Sequence, residues 1–240
     1  MKKADSSWRS YPWISWGTAA LAAYGLKLYY SRASVEDLAW ILVPTARAVG
    51  CLRGETLIPG PAGWVAPDAS YFIAPACAGV NFLIVAFIVS VLGFARRLSS
   101  PGRRLSWWIA SLFGAWTLTI AVNTVRILAA VELYRLGPIA GLTPEQAHRL
   151  LGTALYLGAL WGVCWILDRL MESRSTLAAA VLVPGAYLGM TVLVPLLNGA
   201  FRHSGGEYVE HAMMVTLTTM SSLAALFLAR RLMTRRREQT

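Results

Sequence analysis

Long apolar runs separated by short basic clusters set the pattern of this chain. A spanning helix needs about 20 mostly apolar residues, and six segments approach that length: 13–30, 72–94, 105–131, 148–167, 176–197 and 211–229. Pro184 and Pro195 fall inside the fifth and predict a kink, with neighbouring helices taking up the freed carbonyls. A seventh apolar patch, 38–50, is too short to cross and carries Pro44 and Arg47, so it reads as an interfacial or re-entrant element. The stretch between the first two spans, about 31–71, holds "GETLIPGPAGWVAPDAS", and its Gly and Pro predict a compact loop. The expected fold class is all-α. It is a polytopic membrane helical bundle of about six transmembrane helices plus that interfacial or re-entrant segment, one integral membrane domain over 1–240.

Composition agrees with the pattern. Residues are 56% hydrophobic and only 14% charged, against about 25% charged in a soluble domain. So few charges cannot cover an aqueous surface, and the expected partner is the lipid bilayer. The opening "MKK" imitates a signal peptide, but Lys27 lies inside the run and no small-x-small site follows, so an uncleaved first span is expected. A net charge of +10 raises nucleic acid as a partner for a soluble protein. Here the basic residues sit in short clusters between spans and form no single basic footprint, so no nucleic-acid partner is expected.

Six spans place both termini on one side. That side carries fourteen Lys and Arg residues, Lys2, Lys3, Arg9 and Arg174 among them, against six on the other. The positive-inside rule then makes both termini cytoplasmic. Three cysteines, at 51, 77 and 164, form no disulfide framework and no CxxC zinc pair. His203, His211, Glu207 and Glu210 flank an expected outer loop at 198–210, but their spacing matches no standard ligand motif. Neither a Gly-rich phosphate loop nor GxSxG occurs, and no metal or cofactor is expected.

Ionisable groups inside spans are costly and point to function. Cys77 lies five residues into the second expected span, and Arg126 five residues before the end of the third. At 1.5 Å per residue both sit roughly 8 Å below the outer surface, with His148, at the head of the fourth span, near that level. Singly, each has an ordinary reading: Cys77 as packing, His148 as an interfacial residue, Arg126 as a snorkelling cation. Together they form a kit for acyl transfer. A thiolate is a nucleophile favoured by a nearby cation, a guanidinium can hold an oxyanion, and an imidazole can move the proton. Asn123, three residues before Arg126, shares its helical face and could orient it. Pro75 and Gly79 would open the start of the span, and Asn81 could hold a bound peptide. Cys164 and Cys51 lack a comparable polar frame.

These residues resemble the exosortases and archaeosortases, multi-span membrane enzymes with a Cys-small-Gly motif, an Asn-x-x-Arg in a later span and a His-x-x-x-Gly in the next. Here the motifs read "CAG" at 77–79, "NTVR" at 123–126 and "HRLLG" at 148–152, in that order. The string "PACAGVNFL", with "PTARAV" and a "G…GW" loop before it, looks most like the exosortase K subgroup. The resemblance covers about 35–170, leaving 176–229 as a two-span C-terminal extension. Its loop "NGAFRHSGGEYVEH" is expected to help form a substrate groove. Many members have Ser after the Cys, where Ala78 stands; that removes a hydroxyl and leaves a backbone N–H.

The resemblance implies a cysteine transpeptidase of the bacterial inner membrane with its site toward the outer face. Cys77 would be the nucleophile, Arg126 the transition-state stabiliser and His148 the general acid/base. Substrates would be secreted proteins ending in a short motif, one helix and a basic tail, passed to an unidentified acceptor nucleophile. Two other readings stay open: a protease that only hydrolyses, and a non-enzymatic transporter or assembly subunit whose Arg126 lines a ligand pathway.

Overall fold

The most apolar segment of the chain is also its centre. In the computed structural model, which describes residues 12–98, 100–139, 141–171 and 176–238, α3 (Val80–Phe94) carries no charge, and eleven of its fifteen residues are buried. It packs against α1 (Pro12–Tyr30), α4 (Pro101–Leu136), α5 (Pro144–Leu170) and α6 (Thr176–Leu188). α4 and α5 lie side by side, and α8 (Ala200–Glu238) lies along α5. Lys2, Lys3, Arg9 and Arg174, used above for orientation, fall outside the described residues, as do the side chains of Arg96, His203, Arg230 and Arg235 to Arg237.

The chain is predominantly helical. Among the described residues four stretches are long and apolar enough to cross a membrane: Pro75–Phe94, Pro101–Leu136, Pro144–Leu170 and Gly205–Leu228. Large apolar side chains on α4, among them Leu105, Ile109 and Phe113, are each more than half exposed. Such a surface suits lipid, not water. α1 is diluted by Gly17, Thr18, Gly25 and Lys27 and is not among the four. The fifth expected span is shorter and broken: α6 runs into a π-helical turn, Gly189–Leu193, and then α7 (Val194–Leu197). Pro195 has no N–H to continue the ladder, and Tyr208 Oη of α8 donates to the carbonyl of Val192 at 3.0 Å.

Element ends differ from expectation where local chemistry overrides hydropathy. The second expected span, 72–94, is helical only from Val80 on, because strand and a turn precede it. α4 runs to Leu136 instead of 131, and α5 starts at Pro144 instead of 148. A capping box fixes that start: Gln146 N–H donates to Thr143 Oγ1 at 3.3 Å, and Thr143 N–H to Gln146 Oε1 at 3.1 Å. The expected outer loop at 198–210 is instead mostly helix, since α8 begins at Ala200.

The 38–50 patch is α2 (Ala39–Arg53), which buries Ile41, Leu42, Ala46 and Val49 and packs on α4. Pro44 cannot donate to Trp40 O, and Trp116 Nε1 of α4 donates there instead, at 3.3 Å. The Gly/Pro-rich stretch that follows is a three-stranded antiparallel meander of β1 (Ile58–Gly60), β2 (Gly63–Val65) and β3 (Phe72–Ile73). Its register pairs Ile58 with Val65 and Trp64 with Ile73.

A carboxylate ties this sheet to the helices. Glu55 Oε1 accepts from Tyr71 Oη and from Arg53 Nε, the latter at 2.6 Å. Arg53 also reaches Glu132 of α4 at 3.5 Å. The Tyr71 hydroxyl first, then Arg53, holds the Glu55 carboxyl below its ordinary range. A depressed folded-state value means stabilisation that is full above the unfolded value, about 4.3, and lost as pH falls through the folded one. Amide exchange across 58–73 is therefore expected to accelerate below about pH 4, and Glu55→Gln is expected to flatten that dependence. An unchanged pH profile in the variant would remove Glu55 from the clamp.

Candidate active site

Cys77 ends a short 3₁₀ turn, Pro75–Cys77, between β3 and α3. Pro75 starts the turn, and Cys77 N–H donates to Ala74 O at 2.8 Å. Ala78 N–H donates to Pro75 O at 3.0 Å, so this amide is committed to the turn and not to an oxyanion. Gly79 follows at φ 72°, in the left-handed region. A Cβ there would fall 3.0 Å from Thr119 Cγ2 and 3.3 Å from Asn123 Cγ of α4. Both the backbone angle and the close approach require glycine.

Asn123 is fully buried and joins two of the candidate residues. Its Nδ2 donates to the carbonyl of Cys77, and its Oδ1 accepts from Arg126 Nη1 at 3.1 Å. Arg126 Nη1 also donates to Tyr156 Oη at 3.3 Å, and Arg126 Nη2 lies 3.0 Å from His148 Nε2. Tyr156 Oη donates in turn to Asn123 Oδ1 at 3.0 Å. The Tyr156 ring lies 5.5 Å from the guanidinium carbon and stacks on Phe82 at 4.4 Å. None of these three hydrogen-bond partners of Arg126 is a carboxylate.

Helical spacing explains the arrangement. His148, Gly152 and Tyr156 recur every four residues and form one face of α5. Asn123 and Arg126, three apart, form the facing stripe of α4. The guanidinium lies over Gly152, where a Cβ would sit 3.0 Å from Arg126 Nε. Glycine at the end of "HRLLG" is therefore a steric requirement of Arg126.

The Arg126–His148 contact sets the state of the imidazole. Arginine only donates, so Nε2 accepts and a neutral ring carries its proton on Nδ1. His148 Nδ1 is buried and has no hydrogen-bond partner among the described residues. The lone pair that a base would use is thus occupied by the guanidinium.

Cys77, Arg126 and His148 share the wall of a cavity of about 520 Å³, with Tyr71, Phe72, Ile73 and Tyr134. No carboxylate is among its described lining residues. Cys77 precedes α3 by three residues, and Arg126 lies ten residues before the end of α4, so the expected depths shift. Their meeting does not depend on those depths, because α4 and α5 both extend further at the same end of the bundle.

Asn81 lines a second cavity of about 330 Å³, whose wall also includes Gly79, Arg126 and His148, and accepts from Lys27 Nζ of α1 at 2.8 Å. Cys51 is exposed and Cys164 buried, and neither lines either cavity. His211 lines the second cavity, while Glu210 lies 3.9 Å from Arg149 and accepts from Gln146 at 3.4 Å. Among the described residues no three His, Cys, Asp or Glu side chains converge as a metal site would require.

Tyr156 is the member that sequence reasoning missed. Its signal was the four-residue recurrence from His148 through Gly152. Tyr156→Phe keeps the ring but removes a donor to Asn123 and an acceptor from Arg126. A net loss of about 1–2 kcal/mol in the positioning of Arg126 is expected, read as a roughly 5- to 30-fold drop in activity at this site. Wild-type turnover in that variant would show that the hydroxyl is dispensable.

No protein-family model, curated protein or solved structure matches this chain.

Proposed function

We propose that this chain is an exosortase-like cysteine transpeptidase of the bacterial inner membrane. It would cleave a C-terminal sorting signal of secreted proteins and pass the released acyl group to an acceptor. One observation carries the reading: a thiol, a guanidinium and an imidazole from three separate segments line one cavity, and the guanidinium touches the imidazole. The proposed topology has six crossings, by α1, α3, α4, α5, the α6–α7 unit and α8. Both termini are cytoplasmic and the cavity opens toward the outer face. The substrate's own helix lies beside the bundle with its basic tail on the cytoplasmic side.

In the proposed reaction the substrate carbonyl draws the Arg126 guanidinium to itself, which frees the Nε2 lone pair of His148. The Cys77 S–H proton passes to His148 as Sγ bonds to the carbonyl carbon. The resulting oxyanion is held by Arg126, whose charge no neighbouring carboxylate cancels. The C–N bond then breaks, and His148 returns its proton to the leaving amine. A thioester on Cys77 remains. An incoming amine or water gives a proton to His148 and attacks the thioester, and the sulfur leaves and is reprotonated.

The direct test is the thioester. With a cognate sorting-signal protein, an acid-quenched reaction is expected to hold substrate on Cys77, and hydroxylamine is expected to release it as a hydroxamate. Processing that continues with no such adduct at Cys77 would overturn the reading. One observation favours a conduit instead: Arg126 and His148 line both cavities. A Cys77 that a small membrane-permeant alkylating reagent cannot modify would favour that alternative.

A further inference from the structure

The cavity that holds Cys77 has a strand edge as one wall. Its lining includes Ser70, Tyr71, Phe72 and Ile73 but no residue of β1 or β2. In the sheet order β1-β2-β3, β3 has a neighbour on one side only. The cavity therefore lies along the open side of β3.

The register shows which backbone groups face that side. Ala66 N–H donates to Tyr71 O at 3.0 Å, which marks Ala66 and Tyr71 as a hydrogen-bonded pair. Alternation in an antiparallel ladder makes the next pair, Val65 with Phe72, the non-hydrogen-bonded one. The N–H and C=O of Phe72 then point away from β2, and neither has a partner among the described residues. On either side one backbone group is already taken: Ala74 O accepts from Cys77, and Ser70 N–H donates to Asp68.

The edge also lacks the usual protection. Exposed edge strands are commonly blunted by charge, proline or a covering element. Here residues 70–73 read Ser-Tyr-Phe-Ile, and Phe72 is 57% exposed. An uncharged open edge beside a nucleophile has the form of a main-chain docking site.

The geometry points to an extended peptide that pairs with Phe72 as a fourth strand and so delivers its carbonyl to Cys77. This rests on the peptidase reading above and deepens it: the segment before the scissile bond is read through its backbone, largely independent of side chains. Four residues separate Phe72 from Cys77, two of them in the 3₁₀ turn. At strand and 3₁₀ rises that span is roughly 10–14 Å, or three to four residues of extended substrate.

Peptidyl vinyl sulfones test this on the purified full chain, because a thiolate adds across the vinyl group with no leaving group. Ac-Ala-Ala-Ala-Ala vinyl sulfone is expected to alkylate Cys77 about tenfold faster than Ac-Ala vinyl sulfone, the gain from one or two main-chain hydrogen bonds. N-methylation of the one amide that pairs with Phe72 is expected to erase that gain, while methylation of the adjacent amides leaves most of it. Phe72→Pro removes the outward N–H without touching the ladder to β2 and is expected to lose the gain. Phe72→Ala keeps both backbone groups and is expected to retain most of it. A wild-type rate independent of probe length, or a gain that survives methylation at every position, would overturn the docking edge. The methylation series uses only the wild-type chain, so it decides the matter even if the proline variant misfolds. If Cys77 reacts with none of these probes, nor with methyl vinyl sulfone, the peptidase reading itself fails.

Discussion

Cys77→Ser is expected to reduce processing of a cognate sorting-signal protein by at least about 1,000-fold, to background in cells. The change is small in volume, and the hydrogen bonds that hold the 3₁₀ turn use the backbone N–H and C=O of Cys77, which the substitution leaves in place. Fold stability is expected to stay within about 0.5 kcal/mol, so accumulation of the variant should match wild type. What is lost is chemistry. A thiol gives up its proton within reach of physiological pH, whereas a serine hydroxyl needs a committed base throughout the attack. Among the described residues that line the cavity the imidazole is that of His148, and its Nε2 lone pair is engaged by Arg126 at 3.0 Å before substrate arrives. A serine at this position would therefore lack the acidity, and would have the base only while Arg126 stays on the substrate. Processing at the wild-type rate, with equal protein levels, would remove Cys77 from the reaction.

The apolar runs made legible the helices long and apolar enough to cross a membrane, but not where they end. Thr143 and Gln146 extend α5 beyond its apolar stretch, and Ser100 with Pro101 does so for α4, because caps satisfy amides whatever the hydropathy. "NGAFRHSGGEYVEH" reads as a loop from its glycines and polar groups, yet from Ala200 its backbone is helical along α8. The sheet was out of reach for another reason: strands of two or three residues are too short to show a period of two. At the candidate site, Pro75 and Gly79 announced a special backbone at Cys77, and the "NTVR" spacing placed Asn123 on the face of Arg126. Tyr156 did not stand out, since an aromatic inside an apolar helix ordinarily packs. Only the facing of α4 and α5 turns it into a hydrogen-bonding group. Asn81 shows the converse. It was adjacent in sequence to the cysteine motif, but the helix start at Val80 turns it toward Lys27, 54 residues away in the chain.

The same facing of α4 and α5 makes Arg126→Lys the sharpest test of what the site needs from its cation. Charge is conserved in this variant, so a role in neutralising a distant anion or lining a pathway would be largely kept. The planar fork is not conserved. Arg126 spans from Asn123 and Tyr156 at one terminal nitrogen to His148 at the other, with Nε against the bare backbone of Gly152. An ammonium is a single point of donors and cannot reach both ends. Placed beside Asn123 and Tyr156, it leaves His148 Nε2 without its donor and the oxyanion position empty. Placed beside His148, it leaves Asn123 Oδ1, which is fully buried, with Tyr156 as its remaining donor. Loss of a preorganised oxyanion donor typically costs 10²–10³ in rate, and Arg126→Lys is expected to lower turnover by about 100-fold or more, chiefly in kcat. Cys77 is expected to remain reactive toward methyl vinyl sulfone, because that addition generates no carbonyl oxyanion. A variant that keeps wild-type kcat would show that charge alone suffices and would withdraw the oxyanion role. A variant that loses kcat while its thiol stays reactive assigns the guanidinium to the transition state and not to the making of the thiolate.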